Sequence, residues 1–211
     1  EIPLRLVGSE MCIRDRINFG YTSSCLWKSP LSIQVRSGDR IHITGNNGSG
    51  KTTLVKLLLG ELKPAAGTIT WADFSYLYID QECSVLDPGL TVFEQTERFN
   101  ASHLAEHELK SILNRCLFPY ETWDKPCFCL SGGEKIRLLF CCLMIGNNAP
   151  DVFILDEPTN NLDIQSVEII TAAIKSYRGT VLLISHDHYF VKEIKINRSI
   201  KLFDTGSVIK I

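Results

Sequence analysis

The chain lacks any long apolar run. Nowhere in its 211 residues do 18 or more apolar residues follow one another, so no segment reads as a transmembrane helix. A surplus of either charge is also missing. Twenty-two Lys and Arg stand against 24 Asp and Glu, a net charge of −2. Such a balance carries no global signal for nucleic-acid binding, although a local basic patch would be invisible in the total. No CxxC pair occurs among the eight cysteines, which are Cys12, Cys25, Cys83, Cys116, Cys127, Cys129, Cys141 and Cys142. Neither Cys127-Phe128-Cys129 nor Cys141-Cys142 has the spacing of a zinc site, so the thiols read as reduced, cytoplasmic side chains that serve as small core hydrophobes. There is no internal repeat and no low-complexity linker. Apolar residues make up 45% of the chain, which is enough for one globular domain with a sizeable core.

The head of the chain stands apart. Leu6 to Arg16 resembles a translated transposase-type sequencing adapter, and Glu1-Ile2 fits the segment upstream of it. A segment of that origin is excluded from fold reasoning, although its apolar residues alone would permit an ordinary N-terminal strand. The expectation is an artefactual head over residues 1–16, a domain over 17–211, and a natural chain that continues upstream of Ile17.

Within 17–211 the patterning is that of an α/β fold. Ile17 to Tyr21 reads as the end of a strand. Leu31 to Val35 alternates apolar and polar residues, as an antiparallel edge does. Arg40 to Thr44 is a strand running into a glycine loop, and Thr52 to Leu59 is a helix that Gly60 stops. Thr68 to Trp71 and Ser75 to Ile79 are short strands. From Thr91 to about Gly146 the chain turns helical, with Ala105, Leu109, Ile112, Leu113 and Cys116 on one face. Pro119 and Pro126 bracket a loop in that stretch. Val152 to Leu155 and Thr180 to Ile184 are continuous apolar runs, the mark of parallel strands covered on both faces. Two short strands are expected around Thr205-Gly206.

Three motifs carry chemistry. Gly45-Asn46-Asn47-Gly48-Ser49-Gly50-Lys51-Thr52 fits GxxxxGK[ST] and lies between a strand and a helix, the context of a phosphate-binding P-loop. Its backbone N–H groups and the helix N-terminus suit the phosphates of ATP, with Thr53 next in the same helix. Lys51 is placed at the β- and γ-phosphates, and the Thr52 hydroxyl is a Mg²⁺ ligand. Val152 to Leu155 ends in Asp156-Glu157. Adjacent carboxylates at the end of a buried strand are costly without a cation, so Asp156 reads as the residue that holds Mg²⁺, largely through water, and Glu157 as the general base for water. Leu130-Ser131-Gly132-Gly133-Glu134 contains a capping box, Ser131 with Glu134, and two glycines at a helix start. His103-Leu104-Ala105-Glu106-His107 fits H-x-x-E-H, but it sits on an amphipathic helix with no third ligand evident and reads as a solvated face.

P-loop, LSGGE and Asp156-Glu157-Pro158-Thr159-Asn160-Asn161-Leu162-Asp163, in that order, resemble the nucleotide-binding domain of ABC ATPases. The resemblance covers essentially everything from Ile17 onward. It implies a mixed α/β core with an antiparallel β edge and a small helical subdomain, about 91–146, that carries the signature motif. It further implies that Tyr21 stacks on adenine and that Gln81 contacts Mg²⁺ and the attacking water. Asp163 would span a dimer interface, and His186, in Ser185-His186-Asp187, would contact the γ-phosphate. Ser131, Gly132 and Gly133 would touch a nucleotide held by a second, facing domain. Eighty residues separate Lys51 from Ser131, too few for the coiled-coil insert of chromosome-maintenance ATPases. EPTNNLD resembles the EPTNHLD of ABC-F proteins, with Asn161 in place of His, and Ser131-Gly132-Gly133-Glu134-Lys135 is similar to that family's SGGE start. That resemblance implies a second ATPase domain upstream in one chain, action on the ribosome in translation or antibiotic resistance, and no membrane segment. The other readings are the ATPase subunit of a membrane transporter and a catalytically silent clamp. Competent residues at Lys51, Gln81, Asp156, Glu157 and His186 speak against silence.

Overall fold

The computed structural model describes residues 10–21, 25–71, 73–80, 82–146, 149–160, 162–202 and 208–210. Strands β1 (Glu10–Asn18), β2 (Leu31–Arg36) and β4 (Ala66–Trp71) form an antiparallel sheet in the order β2-β1-β4. In β2 the inward Leu31, Ile33 and Val35 alternate with Ser32, Gln34 and Arg36, so the expected period of two is present. β1 runs through residues 10–16, the described part of the adapter-like head. Backbone pairing needs only N–H and C=O groups, which any proline-free segment supplies, so it says nothing of where those residues come from. The strand extends only to Asn18, short of Tyr21.

The second sheet holds β3 (Arg40–Gly45), β5 (Tyr76–Ile79), β6 (Val152–Asp156), β7 (Thr180–Ile184), β8 (Arg198–Leu202) and β9 (Val208–Lys210) in the order β5-β6-β7-β3-β8-β9. β3 is parallel to β7 and β8, β6 is parallel to β7, and β9 turns back antiparallel on β8. All five residues of β7 are buried, in keeping with its unbroken apolar run. Helix α1 (Lys51–Leu58) follows β3 and starts one residue earlier than its pattern suggested. Its C-terminus closes in a Schellman motif. Gly60, at φ 77, donates to Leu57 O at 3.2 Å, and Glu61 N donates to Lys56 O at 3.0 Å.

Helices α2 (Val92–Arg98), α3 (Glu106–Arg115) and α4 (Gly132–Gly146) occupy the stretch expected to be helical, with short 3-10 turns at Tyr120–Thr122 and Cys127–Cys129. α5 (Ile164–Ser176) and α6 (His188–Glu193) follow. A full capping box opens α2: Glu94 N donates to Thr91 Oγ1 and Thr91 N donates to Glu94 Oε2. Ala105 is the exposed N-cap of α3 and not part of its buried stripe, because an N-cap residue has extended φ/ψ and its Cβ leaves the helical face. Leu109 and Leu113 carry the buried face.

The chain forms two compact units. One comprises Ile79–Ala149 and Pro158–Tyr177, and the other comprises the remaining described residues. In the latter, Leu31, Ile33 and Val35 of β2, Ile41 and Ile43 of β3, Leu54 and Leu57 of α1, and Ile154 of β6 share one core. Each such buried aliphatic side chain stabilises by roughly 1.5–3 kcal/mol. Among the described residues no helix is long and apolar enough to cross a membrane.

Candidate functional site

The P-loop is the turn between β3 and α1. Gly50 is the N-cap of α1 at φ 90, and a Cβ there would lie 2.5 Å from Leu26 Cδ2 and 3.1 Å from the Trp27 ring. Glycine is therefore required twice over, by backbone conformation and by space. Trp27 is fully buried, and its indole Nε1 donates to Ser49 O at 3.0 Å, fixing the loop from below. Asn18 Nδ2 in turn donates to Trp27 O. Asn46, Asn47 and Gly48 are exposed at the loop tip. Lys51 Nζ donates to Gly45 O at 2.8 Å and to Asn46 O at 3.1 Å, which folds its ammonium back over the loop. Tyr21 is 70% exposed and packs its ring edge-to-face against Phe19. Its hydroxyl lies 3.1 Å from the buried Thr53 Oγ1, so the ring is anchored at its tip and open on its face.

The parallel sheet brings the ends of β3, β6 and β7 together, as open α/β sheets do at the carboxyl ends of their strands. Asp156 closes β6. Its Oδ2 accepts from Thr52 Oγ1 at 3.3 Å and from Tyr78 Oη at 3.1 Å. The hydrogen bond already brings the Thr52 hydroxyl and the Asp156 carboxylate together, and such a pair of hard oxygen donors fits Mg²⁺ chemically.

Glu157 is 9% exposed and has φ 52, the left-handed region that glutamate rarely adopts. Its N–H donates to Ile184 O at 2.8 Å, a direct result of β6 pairing with β7. Its Oε2 accepts from His186 N at 3.2 Å, and its Oε1 lies 3.4 Å from His186 Nε2. The carboxylate is thus tied at Oε2 to the His186 backbone, and the His186 ring, 67% exposed, lies close to Oε1.

Ser131, Gly132, Gly133 and Asp163 belong to the other unit. Ser131 N donates to Glu134 Oε2 at 2.7 Å, and Glu134 N donates to Ser131 Oγ at 3.3 Å, so the capping box forms. Burial alone pushes the Glu134 carboxyl up, but hydrogen bonds from Ser131 and Lys125 outweigh it and leave the group below its ordinary value. Ser131 and Gly132 are exposed, as a surface that meets a ligand must be. A Cβ on Gly133 would sit 2.9 Å from Ser166 Oγ and 3.1 Å from Asp163 Oδ2. Asp163 caps α5, accepting from Ser166 N at Oδ1 and from Ser166 Oγ at Oδ2. Signature glycine and Asp163 are therefore neighbours within one unit.

Gln81 and Asn161 lie outside the described residues. The motifs do not include Trp27 or Tyr78. A tyrosine on the strand just before Gln81 was the available signal for Tyr78, since a half-buried phenol seeks a hydrogen-bond partner.

Residues 29–160 match the family model described as ABC transporter. Over 191 residues the chain is 40% identical to "ABC transporter F family member 5" of Arabidopsis thaliana, covering 89% of this chain and 27% of that protein. It is 38% identical over 178 residues to "Probable ATP-binding protein YbiT" of Escherichia coli O157:H7, covering 83% of this chain and 33% of that one. The chain thus spans about a quarter to a third of the curated relatives it matches. Among solved structures, a dimeric ATP-binding cassette in a post-hydrolysis state bound to ADP and Pi superposes with a TM-score of 0.72 at 20% identity, covering 95% of this chain and 98% of that one. That likeness establishes the fold.

Proposed function

This chain belongs to the ABC transporter family, as one of its ATP-hydrolysing ATP-binding domains, and from that premise we propose that it is the second such domain of a longer ABC-F protein that acts on the ribosome. In this reading the P-loop residues Gly45 to Thr53 hold the phosphates of ATP, with Lys51 on the β- and γ-phosphates and Tyr21 under the adenine. Thr52, Asp156 and Gln81 hold Mg²⁺, which neutralises charge on the transferring phosphoryl group when bound. Glu157 takes the proton of the attacking water, and His186 contacts the γ-phosphate. Ser131, Gly132 and Gly133 meet the nucleotide of a facing ABC domain, supplied by the same polypeptide, and Asp163 lines that interface.

The observation that carries the chemistry is the grip on Glu157. A general base must be held facing its water, and a carboxylate tied at one oxygen to the His186 backbone, on a residue with a left-handed backbone, has few other orientations. Catalysis on such a site is positioning plus charge stabilisation. The ribosomal role is supported by Asp156-Glu157-Pro158-Thr159-Asn160-Asn161-Leu162-Asp163 and by the F-family relative. Translation regulation and antibiotic resistance are the two forms of it that the resemblance suggests.

The test is sedimentation of the full-length protein through sucrose under conditions of low ATP turnover. Co-migration with ribosomes that depends on ATP is the expected result. Reproducible co-purification with a membrane permease, and none with ribosomes, sinks the ribosomal reading.

A further inference from the structure

His42 lies in β3, three residues before the P-loop, and belongs to none of the motifs. Its Nε2 stands 2.9 Å from the backbone oxygen of Ser185. A carbonyl can only accept, so Nε2 carries the proton, and the ring is held as that tautomer. Burial pushes the imidazole pKa down, outweighing the bond to Ser185 and the nearby Glu157 carboxylate, which favours the neutral ring.

Ser185 sits where the sheet runs out. The β3–β7 ladder pairs residues as far as His42 with Leu183, and β6 pairs with β7 as far as Ile184. Beyond those pairs a buried carbonyl must find a side chain, and His42 provides one. The rest of the segment is tied in sequence. Asp187 N donates to Ser185 Oγ, Asp187 Oδ1 accepts from Tyr189 N and Phe190 N, and His186 N donates to Glu157 Oε2. The first and last of these four bonds fix the two sides of His186, and the His42 bond fixes the residue immediately before it.

We propose that His42 is a positioning residue for ATP hydrolysis: its Nε2–H holds the Ser185 carbonyl and so sets the backbone that presents His186 to Glu157. It touches neither nucleotide nor water and acts through His186. The inference rests on the roles proposed above for Glu157 and His186.

The prediction is a split between kcat and KM. Losing one buried hydrogen bond that is fully expressed in the transition state lowers kcat about fivefold, and KM stays within about twofold because no nucleotide contact is lost. H42L, H42Q, H186A and the double variant H42L/H186A are made in the full-length protein and assayed for steady-state turnover and ATP affinity. Gln places an amide nitrogen near the position of Nε2, so H42Q is expected to recover turnover to within about twofold. On the H186A background H42L should cost nothing further, because the residue it serves is gone.

An H42L variant with native kcat overturns the proposal, as does an equal loss from H42L on both backgrounds, which marks a merely structural role. If H186A itself keeps native kcat, the proposed roles of His186 and Glu157 fail first, and this inference falls with them. Should H42L not fold, H42Q and H42N decide the matter. The shorter Asn cannot reach the carbonyl, so turnover kept by Gln and lost by Asn supports the proposal, and equal rates overturn it.

Discussion

Glu157 adopts φ 52 although a left-handed backbone costs a non-glycine residue about 1–2 kcal/mol. The surroundings hold it there: Ile184 O takes its N–H, and His186 takes its carboxylate. Such strain is what the base role proposed for Glu157 calls for. Glu157→Gln preserves size and hydrogen-bonding shape but removes the basic lone pair. We expect ATP affinity within about threefold of native and turnover lower by at least about 100-fold, the usual contribution of general-base catalysis. Nucleotide binding and phosphate release, measured on the same preparation, check both halves. Native turnover in the variant would show that the base lies elsewhere. Trp27, Tyr78 and His42 illustrate what single residues conceal in a sequence. Each acts by touching one backbone or carboxylate oxygen brought close by folding, and none stands in a spacing pattern.

Elements were more legible than single residues, because periodicity and end signals are local. β2 shows its alternation, β7 its unbroken apolar run, and α1 its Gly60 stop. The boundaries that were off have local causes too. Lys51 is already helical because Gly50, in a left-handed conformation open to glycine, turns the loop straight into the helix, and Ala105 is a cap and not a core residue. The start of α4 has a further consequence. Glu134 is held below its ordinary carboxyl value by Ser131 and Lys125, despite partial burial. A carboxyl whose folded pKa is depressed contributes stability above its unfolded pKa, and that contribution is lost as pH falls through the folded value. Gln at this position still closes the capping box, so wild-type protein should melt about 2–4 °C above Glu134→Gln at neutral pH only for the charge on that bond and the ion pair with Lys125, about 1 kcal/mol. Below about pH 4.5 the gap should shrink towards zero as the carboxyl protonates. A gap that is constant from pH 7 to pH 3, followed by thermal unfolding, would remove the charge from the explanation.

At the scale of the molecule, the sequence order of the motifs implies more than any one of them, because the parallel sheet converts order into place. Thr52 and Asp156, 104 residues apart, meet because β3 and β6 flank β7 and end at the same edge. Lys51, Asp156, Glu157 and His186 belong to one compact unit, whereas Ser131 to Gly133 and Asp163 belong to the other. The signature segment offers a capped helix start and two glycines but neither the P-loop lysine nor the carboxylates that end β6. It is suited to completing a site whose cation-binding half comes from elsewhere. This division predicts complementation. Lys51→Ala disables the site that its own chain's P-loop builds, and Ser131→Arg disables the site on the facing copy. If two copies of this chain can pair, each variant alone should be nearly inactive, yet a pair of one with the other retains one intact composite site of two. An equal mixture that exchanges freely should recover about a quarter of native turnover, since about half of the pairs are mixed and each has one working site. Native specific activity should also rise with protein concentration before it levels off, as mass action requires of a paired active form. A rate strictly linear in concentration, with no recovery at any mixing ratio and full activity in the Ser131→Arg variant, would mean that one domain completes its own site, and the shared-site reading would be wrong.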